Sequence, residues 1–213
     1  MFSRPRTALL VTVAALLVAV TDSPAATIKS VSLFSLPGFS TGSAGPFGST
    51  PVVNNDDDPG ASPNVIPFSV FFNSPGAMET ELILENSGGT TEYRLTDTFV
   101  NTRNAPWTGF RFELGFGTGA SFVQAGDVRF DLLNGHSTAT SPVFTLVADS
   151  SRQLDWTVGA APLVAPFAFA IDVPDGMDRF TLRQTPLVAA PVPEPLTLGL
   201  AAISFVVIVL RRE

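Results

Sequence analysis

The chain contains no cysteine. A disulfide framework, thiolate metal sites and thiol nucleophiles are therefore excluded. Histidine occurs once, at His136, so a zinc site built from imidazoles lacks partners. Lysine also occurs once, at Lys29, and the formal net charge is −7. Such a surface repels phosphate backbones, which argues against a nucleic-acid partner. No apolar run reaches the roughly 20 residues of a comfortable membrane-spanning helix. The two longest span 13 residues at 8–20 and 15 residues at 196–210. No internal stretch sustains the 3.6-residue period of an amphipathic helix.

The two short apolar runs lie at the ends, and their flanks give each a meaning. Arg4 and Arg6 precede run 8–20, and Thr21-Asp22-Ser23-Pro24 follows it. A basic start, a short apolar centre and small residues at Ser23 and Ala25 describe an export signal cleaved after Ala25. Signal peptidase and the secretion machinery are then the first partners. At the other end, Val192-Pro193-Glu194-Pro195 precedes run 196–210, and Arg211 and Arg212 follow it. As a helix at 1.5 Å per residue, the 15 residues span about 22 Å. A helix that short inserts by thinning the bilayer locally. The arginine pair favours the cytoplasmic side, so a chain exported N-terminus first crosses from outside to inside. The two prolines of the box remove two donors and hold the chain extended, the form in which a protease binds a substrate.

Val-Pro-Glu-Pro, an apolar helix and a terminal Arg-Arg resemble the PEP-CTERM sorting domain of Gram-negative bacteria. The resemblance covers residues 192–213, with Glu213 after the arginines as a departure. It implies recognition and cleavage near the box by an exosortase in the inner membrane. It also implies a final place at the cell surface, the outer membrane or the extracellular matrix.

Between these signals the sequence predicts an all-β domain, an antiparallel β-sandwich of jelly-roll or Ig-like type. Apolar and polar residues alternate over 92–100, 110–116 and 128–132, which places one face of each strand in a core. Further strands are predicted at 28–36, 65–72, 80–85, 143–148, 154–158, 167–173 and 180–183. Asn86-Ser87-Gly88-Gly89, Gly117-Thr118-Gly119, Asn134-Gly135 and Pro174-Asp175-Gly176 supply turns. Many short strands with frequent turns point to two packed sheets, and 18 phenylalanines suit their broad core. The predicted organisation is a signal peptide at 1–25, the sandwich at 26–184 and a proline-containing stalk with the sorting motif at 185–195. A transmembrane helix and basic tail follow at 196–213. Residues 37–63, rich in Gly, Ser, Pro and Asn, are predicted to form a long loop. Residues 93–101, continuing through Trp107 to Gly115, are also similar to exported "choice-of-anchor" β-domains, and Phe180-Thr181-Leu182-Arg183-Gln184 fits that likeness. The likeness implies a β-rich module with no activity attached.

Several motifs invite chemistry. Gly38-Phe39-Ser40-Thr41-Gly42 matches a nucleophile elbow, but the elbow needs a strand before it, a helix after it and a histidine base. Residues 115–120 match a loose dinucleotide fingerprint, but the six residues at 121–126 are too few for the helix it requires. They read as a glycine-rich turn. Asn54 and Asn55 precede Asp56, Asp57 and Asp58, a calcium candidate because calcium takes six to eight oxygens. The spacing is not that of an EF-hand and three consecutive aspartates rarely face one ion, so a solvated acidic loop is the favoured reading. Asp172, Asp175 and Asp178 form a weaker cluster around a turn. Trp107 and Trp156 are able to stack on sugars, though their strand-like settings favour core packing. The expectation is an exported, non-catalytic surface or matrix protein associated with exopolysaccharide. The alternative is a carbohydrate- or calcium-dependent binding module.

Overall fold

The structure, a computed structural model, describes residues 26–35, 40–44, 62, 64–74, 76–86, 91–102, 106–158 and 163–189. Over these residues two sheets pack face to face. The strands are β1 (Ala26–Ser35), β2 (Ser40–Ala44), β3 (Val65–Phe72), β4 (Met78–Asn86), β5 (Thr91–Asn101), β6 (Trp107–Gly115) and β7 (Arg129–Phe130). They continue with β8 (Leu132–Leu133), β9 (His136–Ser137), β10 (Thr145–Ser150), β11 (Gln153–Thr157), β12 (Val164–Val173) and β13 (Arg179–Val188). The first sheet has the order β1-β4-β13-β6-β11-β10, and the second β2-β3-β5-β12-β7. β8 and β9 form a separate hairpin.

The predicted strands coincide with observed ones except at 128–132, where the single predicted strand breaks at Asp131 into β7, in the second sheet, and β8, in the separate hairpin. In β3 the pattern places Ile66, Phe68, Val70 and Phe72 in the core and Val65, Pro67 and Phe71 outside. In β12 Phe167, Phe169, Ile171 and Val173 point inward in the same way. Phenylalanine is the commonest inward residue of the core, and the rings interlock. Phe99 stacks on Phe110 with centroids 4.7 Å apart, and Phe112 meets Phe169 at 4.7 Å. Trp107 sits edge-on to Phe72, and Trp156 to Phe167. Such pairs add about 0.5–1.5 kcal/mol each beyond the area they bury.

Three further features differ from the sequence expectation. Residues 40–44, read as loop, form β2 and pair with β3 from Ser40↔Phe72 to Ala44↔Phe68. Their Gly/Ser composition carries no alternation, so only the pairing reveals the strand. The second sheet is mixed rather than antiparallel, because β3 and β5 run parallel in the register Val65↔Arg94 to Phe72↔Asn101. The reason is topological: the intervening β4 lies in the opposite sheet, so the chain reverses twice before it returns beside β3. Finally, β13 continues to Val188 in pairing with β6, four residues into the segment read as stalk.

Outside the core, side chains pair across the faces of the sheets. Glu79 is fully buried on the outer face of the first sheet, where Arg183 donates from Nε to Glu79 Oε1 at 2.8 Å and also from Nη2. The Gly119 N–H donates to Glu79 Oε2 at 2.6 Å, and Arg183 Nη2 donates to the Gly119 carbonyl at 2.8 Å. The Arg183 guanidinium also lies 3.8 Å from the Phe122 ring centroid. This ion pair thus clamps the 3-10 turn Gly119–Ser121 onto the sheet. At the hairpin tip Asn134 and Gly135 have φ of 54° and 85°, the two left-handed residues of a type I′ turn.

Candidate functional site

The predicted site residues Ala25, Asp56, Asp57, Asp58, Val192, Pro193, Glu194, Pro195, Arg211 and Arg212 all lie outside the described residues. The transmembrane helix and basic tail predicted at 196–213 lie outside them as well; among the described residues no helix is long and apolar enough to cross a membrane. The remaining candidates have definite places. Ser40 begins strand β2 rather than a strand-to-helix elbow. The glycine-rich stretch ends β6, turns, and returns through a bridge between Phe116 and Val123, with no α-helix. His136 is exposed on β9, its Nδ1 3.6 Å from Asp149 Oδ2. Trp107 and Trp156 are buried in the core, so neither presents a face to a sugar. Asp175 and Asp178 flank the β12–β13 turn, where Gly176 takes a φ of 89°.

The structure instead gathers Glu92, Asp131 and Asp172, whose carboxylate oxygens lie within 4.8 Å of one another. The register explains the meeting. Glu92 on β5 is the cross-strand partner of Asp172 on β12. Asp172 in turn pairs with Arg129 of β7, and Asp131 follows two residues on, its N–H donating to the Ala170 carbonyl at 3.0 Å. The neighbours Tyr93, Ile171 and Phe130 point into the core, so strand alternation turns all three acids to the outer face of the second sheet. Glu92 and Asp131 are nonetheless buried, and Asp172 is half-buried. Ser62 Oγ and Asn64 Nδ2 both donate to the Glu92 carbonyl, at 3.1 and 2.9 Å, which ties the chain just after Asp56–Asp58 to this corner.

Carboxylates this close repel one another, and a divalent cation among them would relieve that repulsion. Three hard oxygen donors suit calcium better than zinc, which prefers nitrogen and sulfur. Sequence reading singled out Asp172 alone of the three. Glu92 and Asp131 look like ordinary outward residues of alternating strands until the register is known.

A second polar depression of about 190 Å³ is lined by Ala148, Asp149, Ser150, Gln153 and Asp155. Its carboxylates are already engaged: Asp155 accepts from Arg111 Nε at 2.6 Å, and Asp149 accepts from the Ser137 N–H at 2.5 Å. Asp155 in turn helps hold the Arg111 guanidinium above its ordinary pKa. No protein family, curated protein or solved structure matches this chain.

Proposed function

We propose that this is an exported, non-catalytic protein of a Gram-negative cell surface or extracellular matrix, sorted through residues 192–213 by an exosortase. The observation that carries the reading is the pairing of an export signal and a Pro-Glu-Pro box with an apolar run and basic end, which together give one topology. The fold is compatible with processing at both ends. Strand β1 begins at Ala26 and β13 ends at Val188, so cleavage after Ala25 and at the box leaves every strand among the described residues in place. The strand orders β4-β13-β6-β11 and β5-β12-β7, with chain crossings between sheets from β4 through β7 and from β11 through β13, favour a jelly-roll over an Ig-like sandwich. Exopolysaccharide is the proposed surrounding of the mature domain.

Replacing Pro193, Glu194 and Pro195 together by alanine tests the sorting step. The variant is expected to accumulate in the inner membrane with its tail intact, while the parent chain leaves that fraction. Identical distribution of the two would contradict the proposal.

A second reading, a calcium-dependent binding module, is favoured by the convergence of Glu92, Asp131 and Asp172. It predicts calcium binding in calorimetry that weakens at least about tenfold in Asp172→Asn, as loss of a charged ligand at an oxygen site should. Absence of heat with the parent protein removes this reading.

A further inference from the structure

We infer that one end of the sandwich, the end from which β13 leaves, rests on the surface of a lipid bilayer. The inference builds on the reading of 196–210 as a membrane anchor. Strand register fixes which residues share that end. Phe71 of β3 pairs with Val100 of β5, and Val100 with Val164 of β12, giving an apolar row across the outer face of the second sheet. Phe71 is 45% exposed, Val164 48% and the adjoining Leu163 71%. The row lies at the end where β13 leaves: Val188 pairs with Trp107, and Trp107 packs on Phe72, the neighbour of Phe71.

Charge is arranged to match. Connectors 73–77, 102–106 and 158–163, which join strand ends here, contain no Asp or Glu and a single Arg103. The chain as a whole carries 19 acidic residues, so the lack of any acid in these three connectors is a marked local departure. Acids gather at the opposite end instead, in Glu92, Asp131, Asp172, Asp175 and Asp178. An anionic bilayer surface repels carboxylates and accepts apolar side chains into its interface, so only the first end fits it.

Until the box is cleaved, the tether keeps this end close to the membrane. Six residues, 190–195, separate the last described residue from the apolar run. Fully extended, they reach about 20 Å. The exit end is held within that distance of the membrane, and burying the exposed row there removes apolar surface from water.

The absence of native cysteine allows a direct test. The full chain, bearing Phe71→Cys, Leu163→Cys or Val65→Cys labelled with a polarity-sensitive dye, is placed in phosphatidylcholine–phosphatidylglycerol vesicles containing nitroxide-labelled lipid. Val65 is the matched control, on the same strand and face as Phe71, 44% exposed, at the opposite end. Protection of an epitope after Glu213 from added protease reports insertion of the anchor. With the anchor inserted, quenching at positions 71 and 163 is expected to exceed that at 65 by about twofold or more, as side chains enter the interface by 5–10 Å. Equal quenching, or stronger quenching at 65, with the epitope protected overturns the proposal and leaves the anchor standing. An accessible epitope overturns the anchor reading and the membrane contact with it.

Discussion

Asp97 lies in the wrong place for a carboxylate. It points inward on β5 between Leu95 and Phe99, and its partners in register are Phe68 and Phe167. It is 1% exposed, and neither oxygen has a hydrogen-bond partner among the described residues. Burial in these apolar surroundings pushes its carboxyl well above the usual carboxylate range. The folded state therefore holds this proton more tightly than the unfolded chain does. The associated stability is fully present below the unfolded-state pKa of about 4 and is lost as pH rises through the folded value. Asp97→Asn removes the ionisation, so the variant is expected to gain stability relative to the parent as pH rises above about 4. Thermal melts across pH check this: the advantage should shrink steadily toward pH 4. A gap that does not change with pH would show that Asp97 is not held neutral by burial. Tyr93 is the contrasting buried polar residue. Its hydroxyl accepts the Ile28 N–H at 3.0 Å beside the β1 bulge, and burial raises its pKa against that bond.

At the scale of elements, the Glu79–Arg183 pair joins β4, β13 and the turn after β6. Glu79 is fully buried and Arg183 largely so. Removing one partner of a buried pair strands the other charge, so Glu79→Ala is expected to cost about 3–5 kcal/mol. Glu79→Met combined with Arg183→Met should recover much of that loss, since an apolar pair of similar volume replaces both charges. Chemical denaturation measures both; a double variant as unstable as the single one would contradict the account. The strands themselves were legible because their alternation is strong: β6 repeats Phe110, Phe112 and Leu114 inward with Arg111 and Glu113 outward. The turn at Asn134-Gly135 was legible for a similar reason, since both residues accept positive φ. β2 was not, because Ser40–Ala44 has no apolar period and owes its strand to β3. The parallel β3–β5 pair was hidden as well, because alternation tells which residues face inward but not which sheet receives the next strand. The carboxylate triad depends on the register of three strands distant in sequence, which no local pattern encodes.

At the scale of the molecule, the ends of the sandwich have opposite characters. One gathers the carboxylates and receives the first strand at Ala26, which pairs with Asn86. The other carries the apolar row and releases the last strand at Val188. Before cleavage at the box, a precursor that leaves the cell N-terminus first and is held by its C-terminus would turn the acidic end outward, toward the matrix and its cations. The proposed export and sorting signals set this orientation. The measurement that tests them most directly is the intact mass of the mature protein recovered from native envelope and medium. Loss of residues 1–25 and of everything beyond the Pro-Glu-Pro box is the expected result. A mature chain that begins at Met1, or that retains Arg211, Arg212 and Glu213, would contradict export with sorting-enzyme cleavage.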